Sequence, residues 1–180
     1  MSQVVFLRGV NVGGRNVFRP AKLVADLARL DVVNVGAAGT FVVRANASAA
    51  AVRAAILGEL PFEPRMSIHR GADVLRLVDA DPFAREKASK NLRRWVAPLD
   101  AKPKTIPPLP IAVPAKGAWS VRFDRVESGF ALGLIRIPQR KGFVFPTDVV
   151  EDALGVGATT RWWETLLKIA AILRGPPRAG

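Results

Sequence analysis

The stretch Leu7-Arg8-Gly9-Val10-Asn11-Val12-Gly13-Gly14-Arg15-Asn16 gathers the residue types that hold anions. Glycines let backbone N–H groups converge on a small ligand, and arginines add charge and forked donors. The spacing Gly9-x4-Gly14-Arg15-Asn16 is that of a phosphate-binding P-loop set between a strand and a helix. Two positions depart from it. Arg15 stands where Lys would reach the outer phosphates, and Asn16 where a hydroxyl would hold Mg²⁺. Asn16–Arg19 also intervene before a helix can begin at Pro20, and a P-loop belongs in a parallel sheet. Nucleotide hydrolysis is thereby set aside. What is left is a loop able to bind an anion through backbone N–H groups with Arg8 and Arg15, beside the plainer reading of a tight turn that needs positive φ.

A second group is a basic connector, in which Lys87, Lys90, Arg93, Arg94, Lys102 and Lys104 surround Trp95. Cations interleaved with an aromatic suit a nucleic-acid surface. Phe6 and Phe41 fall where an RNA recognition motif would place base-stacking aromatics, but Gly39, Arg44 and Ala37 occupy other positions of that motif. Both phenylalanines are therefore expected to pack against the second half of the chain. Asp79 and Asp81 form a D-x-D pair, better explained by a helix-end turn before Pro82 than by a metal. His69 is the only histidine and there is no cysteine. Thiol chemistry, disulfides and multi-histidine metal centres are excluded, and no general base can be singled out. No metal and no cofactor are expected.

These groups need elements to hold them. Gln3–Leu7 reads as a strand, and Pro20 opens a helix with Leu23, Val24, Leu27 and Leu30 at helical spacing. Strands at Val32–Val35 and Phe41–Val43 follow. A helix capped by Asn46 or Ser48 carries Val52, Ile56 and Leu60, and Arg65–His69 gives another strand. That order is βαββαβ, the ferredoxin-like arrangement, with both helices on one face of the sheet and the other face free. A helix over Ala72–Val78 closes the unit.

Prolines at 98, 103, 107, 108, 110 and 114 forbid a regular helix in the next segment. Trp119, Val121 and Phe123 alternate with polar residues as a half-buried strand, Ser128-Gly129 turns the chain, and Phe130–Ile137 returns. Thr147 is expected to cap a short helix ended by Gly155. Val156–Thr160 reads as a last strand, and Trp163, Leu166, Leu167, Ala170 and Leu173 line a terminal helix. Trp162 with Arg161 resembles a stacking patch, whereas Trp163 belongs to the helix's apolar stripe. The fold class is α+β: two ferredoxin-like halves with antiparallel sheets and helices on one face, plus a C-terminal helix. The halves are expected at 1–84 and 92–180, joined by a basic connector at 85–91.

The 180 residues are 49% hydrophobic and 23% charged, enough to bury a core. No apolar run is long enough to span a bilayer, and residues 1–3 lead straight into a strand without a leader pattern. A cytoplasmic protein is expected. Lysine and arginine total 27 against 15 acids, for a net charge of +12. Such a balance points to nucleic acid or another polyanion as partner, with a GC-rich amino-acid bias as the bland alternative. A monomer or weak homodimer is expected.

The Leu7–Asn16 stretch resembles the N-terminal signature of the bacterial family called domain of unknown function 1697. Leu154-Gly155-Val156, Ala158-Thr159-Thr160-Arg161, Trp163, Thr165 and Leu167-Lys168 resemble its C-terminal signature, and Asp81-Pro82-Phe83 its turn. The resemblance implies paired ferredoxin-like halves and no established activity. Departures occur at Ala37-Ala38-Gly39-Thr40, at Gly142–Pro146, and at Trp162 and Glu164, where the family carries polar residues. The two signatures together suggest a ligand-binding set of Arg8, Gly9, Asn11, Gly13, Gly14, Arg15, Asn16, Thr160 and Arg161. The expected function is binding of a phosphate-bearing ligand or nucleic acid without catalysis. The alternative is an enzyme acting on a small phosphorylated or nucleotide substrate between the halves.

Overall fold

The structure is a computed structural model that describes residues 1–11, 13–14, 16–86, 89–138 and 143–175. It is a mixed α+β protein with two antiparallel sheets, of four and five strands. The chain divides into two compact units, residues 1–79 with 165–180, and residues 80–164.

In the first unit, β1 (Gln3–Arg8) is followed by α1 (Pro20–Asp26), β2 (Val32–Asn34), β3 (Thr40–Val43), α2 (Ala49–Glu59), β4 (Arg65–Arg70) and α3 (Gly71–Asp79). The sheet order is β2-β3-β1-β4, and every pairing is antiparallel. Pro20 opens α1, where its fixed φ suits a first turn. Ser48, rather than Asn46, caps α2 by accepting a hydrogen bond from the Ala51 N–H at 3.1 Å. Val5, Leu7, Phe41, Val43 and Met66 form one core with Leu23 and Leu27 of α1 and Val52 and Ile56 of α2. Phe41 thus lies in the core of its own unit, not against the second half of the chain. The reason is register: Phe41 pairs with Val5 and shares its face. The opposite face is not free either, because Val4, Phe6 and Val42 are fully buried. A strand covered on both faces reads as a continuous apolar run, as Val4-Val5-Phe6-Leu7 does.

In the second unit, β5 (Leu92–Pro98), β6 (Ile111–Val113), β7 (Val121–Glu127), β8 (Phe130–Arg136), α4 (Pro146–Leu154) and β9 (Arg161–Trp162) follow in order. The sheet order is β6-β7-β8-β5-β9. Ser128 and Gly129, at φ 52° and 84°, make the two-residue turn joining β7 and β8, the conformation that matches strand twist. The proline-rich segment yields β6 between Pro110 and Pro114. It lies on the sheet edge, where missing N–H donors do least harm. Trp95, Ala97, Val121, Phe123, Ala131 and Ile135 pack with Val149, Val150 and Leu154 of α4.

Boundaries differ from expectation in several places: α1 ends at Asp26, before Leu27 and Leu30, and α2 ends at Glu59, before Leu60. Trp119 precedes β7. Thr147 does not cap α4: Pro146 sets the first turn and Phe145 stands at the cap, so the Thr147 hydroxyl is left for Thr160. Gly155, at φ 63°, does end that helix. The last strand is Arg161–Trp162 rather than Val156–Thr160, since β5 offers Val96 and Trp95 as the partners of Arg161 and Trp162. The final helix, α5, spans Trp163–Arg174, and residues from Thr165 onward belong to the first unit.

Candidate functional site

The end of β1 releases the chain into the glycine loop. Gly9, Asn11, Gly13, Gly14 and Asn16 all adopt left-handed backbone conformations, with φ between 49° and 72°. Side chains at Gly9, Gly13 or Gly14 would meet nothing within 4 Å, so backbone dihedrals, not crowding, call for glycine there. The loop is fastened from within. The Asn16 side-chain amide donates to the Gly9 carbonyl at 3.1 Å, and the Asn11 N–H donates to the Asn16 carbonyl at 3.2 Å. Asn11 Oδ1 accepts the Phe18 N–H at 2.9 Å. Val10 turns inward and is 2% exposed, anchoring the loop to the core. Gly9, Gly13, Gly14 and Asn16 are exposed and Arg8 is half-buried. Arg15 lies outside the described residues.

Thr160 and Arg161 sit in the second unit. The Thr160 and Thr147 hydroxyls are 2.7 Å apart, and Thr147 Oγ1 also accepts the Thr160 N–H at 3.2 Å. Arg161 is buried, and one of its terminal nitrogens donates to Thr159 Oγ1 at 3.0 Å and to the Thr160 carbonyl at 2.9 Å. Burial lowers its pKa to about 10, which leaves the guanidinium charged at neutral pH. The cluster joins a cation to hydroxyl groups of Thr147, Thr159 and Thr160, a donor set suited to an oxyanion.

The basic connector divides into two kinds of residue. Lys90, Lys102 and Lys104 are exposed. Arg94 contacts Glu164 at 3.5 Å and Arg93 contacts the same carboxylate at 3.9 Å. Lys87 lies outside the described residues. Trp95 corrects the expectation of a stacking surface. It is fully buried, and the absent side chain of Gly133 is what makes room for its indole. The available aromatic is Trp162, whose ring lies 3.9 Å under the Arg93 guanidinium. Arg93, not Arg161, is its cationic partner. Trp163 is in the core as expected, edge-on to Phe83 at 5.2 Å.

Sequence spacing gave no sign of one further arrangement. Arg136 lies 4.0 Å over the Trp119 ring and donates to the Trp119 carbonyl at 3.1 Å. The two residues are brought together by pairing of β7 with β8, which no local pattern reveals.

His69 is half-buried near the end of β4 and edge-on to Phe6 at 5.9 Å. Asp79 is engaged by Arg174, and Asp81 holds a turn at φ 39° by accepting the Ala84 N–H through its carbonyl. Among the described residues no three His, Asp or Glu side chains gather as a metal site.

Comparison with solved structures finds the conserved bacterial protein SP0830 from Streptococcus pneumoniae, at a TM-score of 0.58 and 16% identity. The similarity covers 96% of this chain and 98% of that one; at such identity it speaks of fold alone. No match was found among curated proteins. The model of a protein family described as "Protein of unknown function (DUF1697)" matches residues 1–111, which include the whole glycine loop and the basic connector, and stops short of Thr160 and Arg161. With more than half of its length matched, the chain belongs to the DUF1697 family.

Proposed function

We propose that this protein binds a phosphate-bearing ligand, nucleic acid foremost, without catalysing a reaction on it. The observation that carries this reading is the Gly9–Asn16 loop. Its asparagines make hydrogen bonds to Gly9 and Phe18, and Gly9, Gly13 and Gly14 are exposed, which supports a backbone that is available to a ligand. Arg8, Arg15 and the exposed Lys90, Lys102 and Lys104 add charge, within a chain of net charge +12. We further read each unit as ferredoxin-like. In support, β2-β3-β1-β4 and β7-β8-β5-β9 repeat one strand succession, with β6 added at an edge.

The test is filter binding of single-stranded RNA and DNA across a salt series. Phosphate contacts release counterions, so affinity must fall steeply with salt. A signal that is absent, or indifferent to salt, rejects the reading.

The buried Arg161 with its threonine hydroxyls favours a second reading, an enzyme for a small phosphorylated substrate. A thermal-shift screen of nucleotides and sugar phosphates separates the two, because a small ligand raises the melting temperature by mass action. No shift with any small molecule, alongside salt-sensitive RNA binding, rejects the enzyme.

A further inference from the structure

The second unit carries a cleft of about 450 Å³ lined by Ser89, Asn91, Leu92, Arg136, Ile137 and Pro138. That size is ordinary for a small-ligand site. Its walls are of two kinds. Leu92, Ile137 and Pro138 are apolar, while Ser89, Asn91 and Arg136 offer a hydroxyl, an amide and a guanidinium.

The state of Arg136 gives the cleft its character. Two cations flank Trp119, and they differ. Arg122, 5.3 Å from the ring, is neutralised by Asp124 at 2.6 Å and Glu86 at 3.2 Å. Arg136 is exposed, and among the described residues no carboxylate pairs with it. The indole lies beneath its Cζ, and the hydrogen bond to the Trp119 carbonyl restricts the side chain further. Arg136 is thus anchored over the indole on one side, and it is also an exposed residue of the cleft wall. A planar cation already stacked on one side accepts a second flat ring on the other, and its remaining N–H groups suit an anionic oxygen.

We infer that this cleft seats a nucleoside phosphate, its base stacked on the outer face of Arg136 against Leu92 and Pro138, its phosphate at the guanidinium edge with Ser89 and Asn91. The inference rests on the phosphate-ligand reading and adds to it a place and a ligand class. The ligand is either a free nucleotide or one unit of a single strand.

The indole N–H resonance of Trp119, assigned by its loss in Trp119→Phe, is the reporter. The full chain is titrated with adenosine monophosphate, ribose 5-phosphate and an oligoadenylate. The monophosphate or the oligomer is expected to move this resonance, with ribose 5-phosphate about tenfold weaker or more, as it cannot stack. Arg136→Ala is expected to weaken binding by about tenfold or more. Arg136→Lys, which keeps the charge and loses the plane, is expected to weaken it similarly. An oligomer bound more tightly than the monophosphate, and with steeper salt dependence, assigns the site to single strands; equal affinities assign it to free nucleotide. Equal binding of ribose 5-phosphate and the monophosphate overturns the inference, as does binding unchanged by Arg136→Ala. Salt-sensitive binding of the oligomer that leaves Trp119 unmoved overturns this site and leaves the broader reading standing. Failure of all three ligands ends both.

Discussion

Val10 occupies the space that a side chain on Gly39 would need. A Cβ on Gly39 would lie 2.6 Å from Val10 Cγ2 and 2.9 Å from Leu7 Cβ, and Gly39 has a φ of 69°. The Leu7 N–H also donates to the Gly39 carbonyl at 2.7 Å. The glycine loop is thus seated on the turn between β2 and β3 through this contact.

Gly39→Ala combines a disfavoured backbone conformation with overpacking, and should cost about 2–4 kcal/mol. Urea unfolding measures it. A loss below about 1 kcal/mol would mean that the loop is not seated on Gly39 as described.

Gly133 presents the same logic in the second sheet, more severely. An added Cβ would lie 1.9 Å from the Arg122 carbonyl oxygen and 2.5 Å from Trp95 Cζ2. A backbone atom of a paired strand cannot step aside, so Gly133→Ala should cost about 3 kcal/mol or more and red-shift tryptophan emission. Wild-type stability in this variant would contradict the seating of Trp95 on Gly133.

Glu164 faces both Arg93 and Arg94 across exposed ion pairs. Glu164→Gln should change stability by less than about 1 kcal/mol. If the proposed function holds, the same change frees two cations near Trp162. Polyanion affinity should rise, and the logarithmic salt slope should steepen by roughly 1–2. Filter binding reads both, and an unchanged slope removes Arg93 and Arg94 from the interface.

Asp73, in the first turn of α3, is held below the usual carboxylate range, chiefly by its hydrogen bond to Arg70 and further by Arg76. A depressed folded-state pKa means that the unfolded chain binds the proton first as pH falls. The stabilisation is complete above the ordinary aspartate value of about 3.9 and is lost as pH drops through the lower folded value. Urea midpoints taken between neutrality and acid should therefore fall less steeply for Asp73→Asn than for the wild type. Parallel profiles would remove Asp73 from the acid response.

Local pattern carried much of the fold. Pro20, Ser48, Ser128-Gly129 and Gly155 each ended or began an element where backbone chemistry requires it. These devices act over a few residues, and such effects are visible in a linear chain. Thr147 shows the limit of that reasoning. Its residue type suits a cap, but Pro146 set the helix two residues earlier and freed the hydroxyl for Thr160.

The site divides in the same way. The residue types of the Gly9–Asn16 loop by themselves determined a strand end and a turn rich in positive φ, because glycine and asparagine tolerate that conformation wherever they occur. Only the tertiary structure decided which side chains are buried and which stay exposed. Trp95 stands among cations in sequence, yet strand pairing places it over Gly133 and buries it. Phe41 stands where a base platform would be, yet its register with Val5 turns it into the core. Trp119 and Arg136, remote in sequence, are stacked because β7 and β8 pair. A strand's alternation leaves two faces, and the chain alone does not say which one will be covered; packing makes that choice.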